Sequence, residues 1–287
     1  MSADATPAGW LEHLPARDLR LLAGAARRPG LEPERLRAQP RLVEELLADP
    51  ATYRAVFGAA ARSDPLLVAS PFLVFAVAVA RTAAELETAA FVPEWAGPRR
   101  RVAVFDAAGL RDFLASGARR RFLAELLASY VHVASGSVWV RTARGWRRRR
   151  FSELDPVRLA GLLEVVPEAE RAGVWRRLGD LALFLTGVFP DRAGRVAFGQ
   201  VQAARLRRAA GLPPGGGDEP REGVALLEHL GRRWYRLAGQ GAAAPTDAVA
   251  VVGEVAGRFG QARRVLNLLT DRHLFPHRAR WFAGPAG

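Results

Sequence analysis

Residues 135–154 read SGSVWVRTARGWRRRRFSEL, and whether they form a hairpin or another helix decides what kind of fold surrounds them. Val138, Trp139 and Val140 are β-branched or aromatic residues, which favour extended chain. Gly145 closes ARG and can take a positive φ, so this tripeptide supplies a turn and WRRRRF returns as a second strand. The reading is therefore a β-hairpin. Neighbouring residues of a strand point to opposite faces, so four consecutive arginines, Arg147 to Arg150, cannot all avoid a core if both faces are buried. An exposed edge is expected, where charge also discourages pairing with foreign strands.

Working back from the hairpin, ARRRFLAELLASYVHV (118–133) places Phe122, Leu123, Leu126, Leu127 and Tyr130 on one helical stripe. Arg119, Arg120 and Arg121 fall in its first turn, where cations oppose the helix dipole. Nothing in the sequence offsets that cost, so a ligand-facing role is expected for them. AAGLRDFLASG (107–117) is a shorter helix with Gly117 as its C-cap, and RRRVAVFD (99–106) alternates as a short strand. A loop containing PEWAGP precedes it, and before that PFLVFAVAVARTAAELET (71–88) is a strongly apolar helix.

The order from 71 to 154 is thus helix, strand, helix, helix, strand, turn, strand. In element order and charge placement, this segment is similar to a winged-helix domain. That resemblance implies DNA binding, with helix 118–133 entering the major groove behind Arg119, Arg120 and Arg121. The wing would then supply Arg141, Arg144, Arg147, Arg148, Arg149 and Arg150 to the backbone or minor groove.

Charge supports the same placement. The chain of 287 residues has a formal net charge of +13, and its 42 basic residues are all arginine. An absence of lysine and isoleucine beside abundant arginine, alanine and glycine is what GC-rich coding produces, which points to a GC-rich bacterial source. Coding bias enriches arginine everywhere, yet residues 1–64 balance to zero while 99–150 hold 13 arginines against Asp106, Asp112 and Glu125. Concentrated positive charge is the footprint expected of a phosphate-binding surface.

The flanks read as helical. PARDLRLLAGAARR, LEPERLRAQ, RLVEELLA and PATYRAVFGAAAR make a small helical N-terminal region (1–64), with Pro33 and Pro50 near helix starts and Pro40 as a separator. Beyond the basic module (65–154), five helical segments form a bundle-like region (155–287). The first is N-capped by Asp155 with Pro156 at N1, and the central one is EAERAGVWRRLGDLALFLTGVF (168–189). The expected fold is mainly α, with helical bundle-like regions flanking a small α+β winged-helix-like module.

Composition also excludes much chemistry. Without lysine there is no Walker A loop or Schiff-base enzyme, and without cysteine no zinc finger, thiol nucleophile or disulfide. None of the five histidines forms HExxH, and no serine sits in GxSxG. No cofactor, metal or catalytic residue is assigned, and an enzyme is not expected. The R-x4-H spacing from Arg272 to His277 matches HEPN-type ribonucleases, but roughly 0.7 such matches arise by chance at this composition, and Pro276 breaks the helix. Asp180 reads as a structural pair with Arg176 or Arg177 at helical spacing, and Glu228, His229, Trp234 and Tyr235 as helix surface and core.

The N-terminal MSADATPAGW lacks a basic region and does not resemble a secretory signal, and PLLVASPFLVFAVAVA (65–80) is too short to span a bilayer. A cytoplasmic protein with no membrane contact follows. The competing expectation is a non-enzymatic helical interaction or scaffold protein, self-associating or binding a protein partner. Its arginine clusters would then meet acidic surface on that partner or on the protein's own N-terminal region.

Overall fold

The computed structural model describes residues 7–26, 30–58, 64–95, 101–133, 135–142, 145–194, 198–213, 223–275, 277 and 281–282. The fold is mainly α, with fifteen α-helices and two separate two-stranded sheets among these residues. Two compact units are present. The first comprises 1–94, 103–131 and 268–282, and the second 95–102, 132–267 and 283–287.

A 3₁₀ helix (Pro7–His13) opens the first unit, followed by four α-helices: α1 (Ala16–Ala26), α2 (Pro33–Ala38), α3 (Pro40–Ala48) and α4 (Pro50–Tyr53). Pro40, expected to separate segments, instead starts α3 at the position where a missing N–H costs least. After α5 (Pro65–Val68) comes α6 (Pro71–Glu87), whose residues 72–79 are all buried, as the apolar run predicts. Its cap explains a buried carboxylate: Ser70 Oγ accepts from Leu73 N at 3.2 Å, while Asp18 accepts from Ser70 N at 3.1 Å and from the Ser70 hydroxyl. No helix among the described residues is long and apolar enough to cross a membrane.

The expected strand is present as β2 (Arg101–Val104), but it pairs with β1 (Val92–Trp95), part of which the sequence reading placed in a loop. Pro93 discourages a strand assignment, yet an edge position tolerates its missing donor. Next come α7 (Ala107–Ala115) and α8 (Gly117–Ser129). Gly117 does not cap α7. Ser116 ends that helix and begins α8, its hydroxyl accepting from Arg119 N at 3.4 Å. A Cβ at 117 would stand 2.7 Å from a Glu44 carboxylate oxygen, the movable end of a flexible side chain. The stripe Phe122, Leu123, Leu126, Leu127 and Tyr130 is buried as expected.

The second unit contains the hairpin, β3 (Ser135–Thr142) and β4 (Gly145–Ser152), then α9 (Pro156–Ala160) with Asp155 accepting from Val157 N and Arg158 N. Its central pair is α10 (Arg171–Val188) and α13 (Gly223–Gln240). Gly179 lets the Tyr235 ring approach to where a Cβ would stand 2.5 Å away, so side chains from α13 pack directly on the α10 backbone. Between these helices in sequence lie α11 (Pro190–Ala193) and α12 (Gln200–Ala209). The last helical segment breaks at Arg258 into α14 (Asp247–Gly257) and α15 (Phe259–Leu269), followed by a π-helical turn at Thr270–Leu274. The Pro- and Gly-rich stretch LPPGGGDEP (212–220), a loop by its composition, lies mostly outside the described residues.

Candidate nucleic-acid interface

Hairpin formation follows the local chemistry. Gly145 has φ +105°, the conformation that ARG was expected to need, and Thr142 pairs with Gly145 across the turn. Register then divides the arginines. Trp139 stands opposite Arg148, Arg141 opposite Trp146, and Ser137 opposite Arg150. Directly opposed residues share a face, so one face carries Ser137, Trp139, Arg141, Trp146, Arg148 and Arg150. The other carries Val138, Val140, Arg147, Arg149 and Phe151.

On the first face tryptophan and arginine positions alternate in both directions. Trp139 is 65% exposed and Trp146 69%, unusually open for the largest apolar side chain. Arg148 is exposed and donates from Nε to Ser137 Oγ at 2.9 Å, which holds its guanidinium over the same face. Of Arg141, Arg147, Arg149 and Arg150 the backbone alone is described, and Arg144 lies outside the described residues. Sequence reasoning named these arginines but not Trp139 and Trp146. Their period-two spacing relative to the arginines was the available signal, and it needed the register to be read.

Arg119, Arg120 and Arg121 have structural partners. Arg119 is 8% exposed and turns back on α7, donating from Nε to Phe113 O at 2.6 Å and from Nη2 to Asp112 O at 2.7 Å. Its guanidinium also lies 5.4 Å from the Phe113 ring centroid. Arg120 donates to Leu114 O and Ala115 O and pairs with Glu44 of α3. Arg121 pairs with Glu125 at 3.2 Å and packs against the Gly9 backbone. Three cations at the start of α8 are thus two cations at the end of α7, where the dipole and the unbonded carbonyls favour them. That is the structural benefit the sequence alone did not reveal. Arg119–Arg121 belong to the first unit and the hairpin to the second.

Other polar clusters are built as structural networks. Asp180 accepts from Arg176 Nε at 2.9 Å and from the Tyr235 hydroxyl at 2.8 Å, the ion pair its spacing predicts. Glu228 joins Arg232 to Arg263. In the first unit, Tyr53 and His273 Nδ1 are 3.0 Å apart, and Glu85 accepts from Arg81 at 2.9 Å and Arg272 at 2.7 Å. Burial, opposed by nearby Glu85, holds His273 below the usual imidazole range. Burial pushes Glu85 up, but Arg272, His273 and Arg81 together outweigh it and keep the carboxyl low. Burial, with Glu85 close by, raises the Tyr53 phenol. Among the described residues, no group of three or more His, Asp or Glu side chains is placed to hold a metal ion.

Comparison with protein-family models, with curated proteins and with solved structures finds no match to this chain.

Proposed function

We propose that the protein binds nucleic acid through the Trp139–Trp146 face of the hairpin, and that its preferred form is an unpaired strand. The observation that carries this reading is the pair of open indoles set among arginine positions. Indole faces stack on bases of any sequence, and guanidinium groups meet the phosphates between them. Diagonal neighbours across a ribbon stand about 7–8 Å apart, roughly twice the rise of stacked bases, so the two rings suit bases that have come apart. In a duplex those base faces are already covered. The resemblance to a winged helix assigned the groove-reading role to α8, but Arg119 to Arg121 are committed to α7 carbonyls and carboxylates, so the reading rests on the wing alone.

Titration of labelled single-stranded and duplex oligonucleotides, followed by fluorescence anisotropy across a salt series, tests it. Single strands bind more tightly, with a slope of log affinity on log salt near −2 if Arg141, Arg148 and Arg150 each neutralise one phosphate. Absence of single-strand binding at low salt sinks the reading.

A protein partner is the second reading, because exposed tryptophans are also frequent anchors of protein interfaces. It expects a stable assembly by light scattering and no oligonucleotide binding.

A further inference from the structure

In the second unit, α9, the 3₁₀ turn at Gly161–Glu164, the start of α10, α12 and α13 surround a cleft of about 550 Å³. Four arginines reach it from three helices: Arg158, Arg171, Arg205 and Arg208, with Glu164 the single carboxylate in its wall. Such a volume lies within the range of sites that take a nucleotide-sized molecule.

Like charges drawn into one concave site repel unless something compensates them, and the compensation within the protein is incomplete. Arg158 pairs with Asp155 at 3.1 Å. Arg171 keeps a buried Nε with no hydrogen-bond partner, a state that costs free energy until an acceptor arrives. Arg205 and Arg208 are exposed on successive turns of α12, three residues apart and therefore on one side of it. A cleft with one sign of charge focuses its field on an incoming anion, and guanidinium forks match phosphate oxygens two at a time. Trp175 supplies the remaining chemistry. Its ring lines the cleft, and its indole N–H donates to Ala209 O at 2.9 Å, which fixes the ring as a flat apolar wall.

We propose that this cleft binds a nucleotide carrying two or more phosphates, the phosphates held by Arg171, Arg205 and Arg208 and the base against Trp175. The site is independent of the hairpin face, and either assignment can fail alone.

Isothermal titration calorimetry of the full chain with ADP, ATP, pyrophosphate and adenosine tests it. ADP and ATP are expected to bind saturably, and more tightly than either pyrophosphate or adenosine. The double substitution Arg205→Ala and Arg208→Ala, at exposed positions that the fold does not bury, should weaken ADP by about tenfold or more. It should leave the affinity for single-stranded oligonucleotide unchanged, whereas Arg148→Ala should do the reverse. Pyrophosphate binding as tightly as ADP would overturn the nucleotide assignment. So would ADP affinity unaffected by the double substitution, or no saturable binding of ADP or ATP at millimolar concentration. A loss of oligonucleotide and ADP binding together in the α12 variant would show the cleft to be part of the strand's path, which overturns a separate nucleotide site.

Discussion

Replacing Arg119 by alanine separates a structural arginine from a ligand-facing one. The side chain is almost fully buried, and it donates to Phe113 O and Asp112 O, carbonyls in the last turn of α7. Hydrogen bonds from a charged donor contribute about 1.5–3 kcal/mol each, and the contact with the Phe113 ring adds about 0.5–1. Freeing an arginine returns up to about 2 kcal/mol of side-chain entropy. With that entropy returned in full, the net expectation is a loss of about 1.5–5 kcal/mol. With a urea dependence of about 2 kcal/mol/M, the unfolding midpoint followed by circular dichroism should fall by about 0.8–2.5 M. Arg119→Lys should recover only part of this, since one ammonium cannot copy the fork that spans both carbonyls. Affinity for single-stranded oligonucleotide should stay within about twofold of the wild type at temperatures where the variant is folded. An unchanged midpoint together with lost binding would refute the capping account and return Arg119 to a ligand-facing role.

The Tyr53–His273–Glu85 network predicts a pH profile. His273 has a lowered value in the fold, so its contribution is complete above the unfolded value near 6.5 and is lost as pH falls through the folded value. Glu85, also lowered, contributes above about 4.5 and loses that as acidification continues. Denaturant midpoints measured from pH 7 to 4 should therefore decline, and His273→Gln should flatten the upper part of the decline; an identical profile in that variant would contradict the assignment. Gly179→Ala should cost about 1–3 kcal/mol in thermal or urea unfolding, because its Cβ would meet the Tyr235 ring at 2.5 Å. Gly253→Ala, on an exposed turn of α14 with open space around it, should instead stabilise by up to about 1 kcal/mol.

Local patterns were readable from the sequence where one stretch of chain carries its own instruction. The apolar run of α6, the Asp155–Pro156 start of α9 and the positive φ of Gly145 all depend on near neighbours. Mistakes arose where the deciding partner is distant or the signal has two meanings. Pro40 can stop a helix or start one, and it starts α3. Gly117 fits a C-cap, yet Ser116 ends α7 and Gly117 is the first residue of α8. Pro93 argues against a strand, but β1 has only one neighbour and tolerates it. The arginines at 119–121 looked costly because α7's carbonyls become visible as acceptors only once the turn at Ser116 is known. The same holds for function. Trp139 and Trp146 meet on one face through the pairing register, and the arginine cleft gathers residues from 158 to 208 that no motif connects.

The most direct test of the proposed function is the affinity of a single-stranded oligonucleotide of about a dozen nucleotides for the wild type and for the double variant Trp139→Ala, Trp146→Ala. Both side chains are largely exposed, so the unfolding midpoint should hardly move. Base–aromatic stacking contributes about 1–3 kcal/mol per base, so losing two platforms should weaken binding by at least about thirtyfold. Binding within about twofold of the wild type, with both proteins folded, would contradict the assignment of this face.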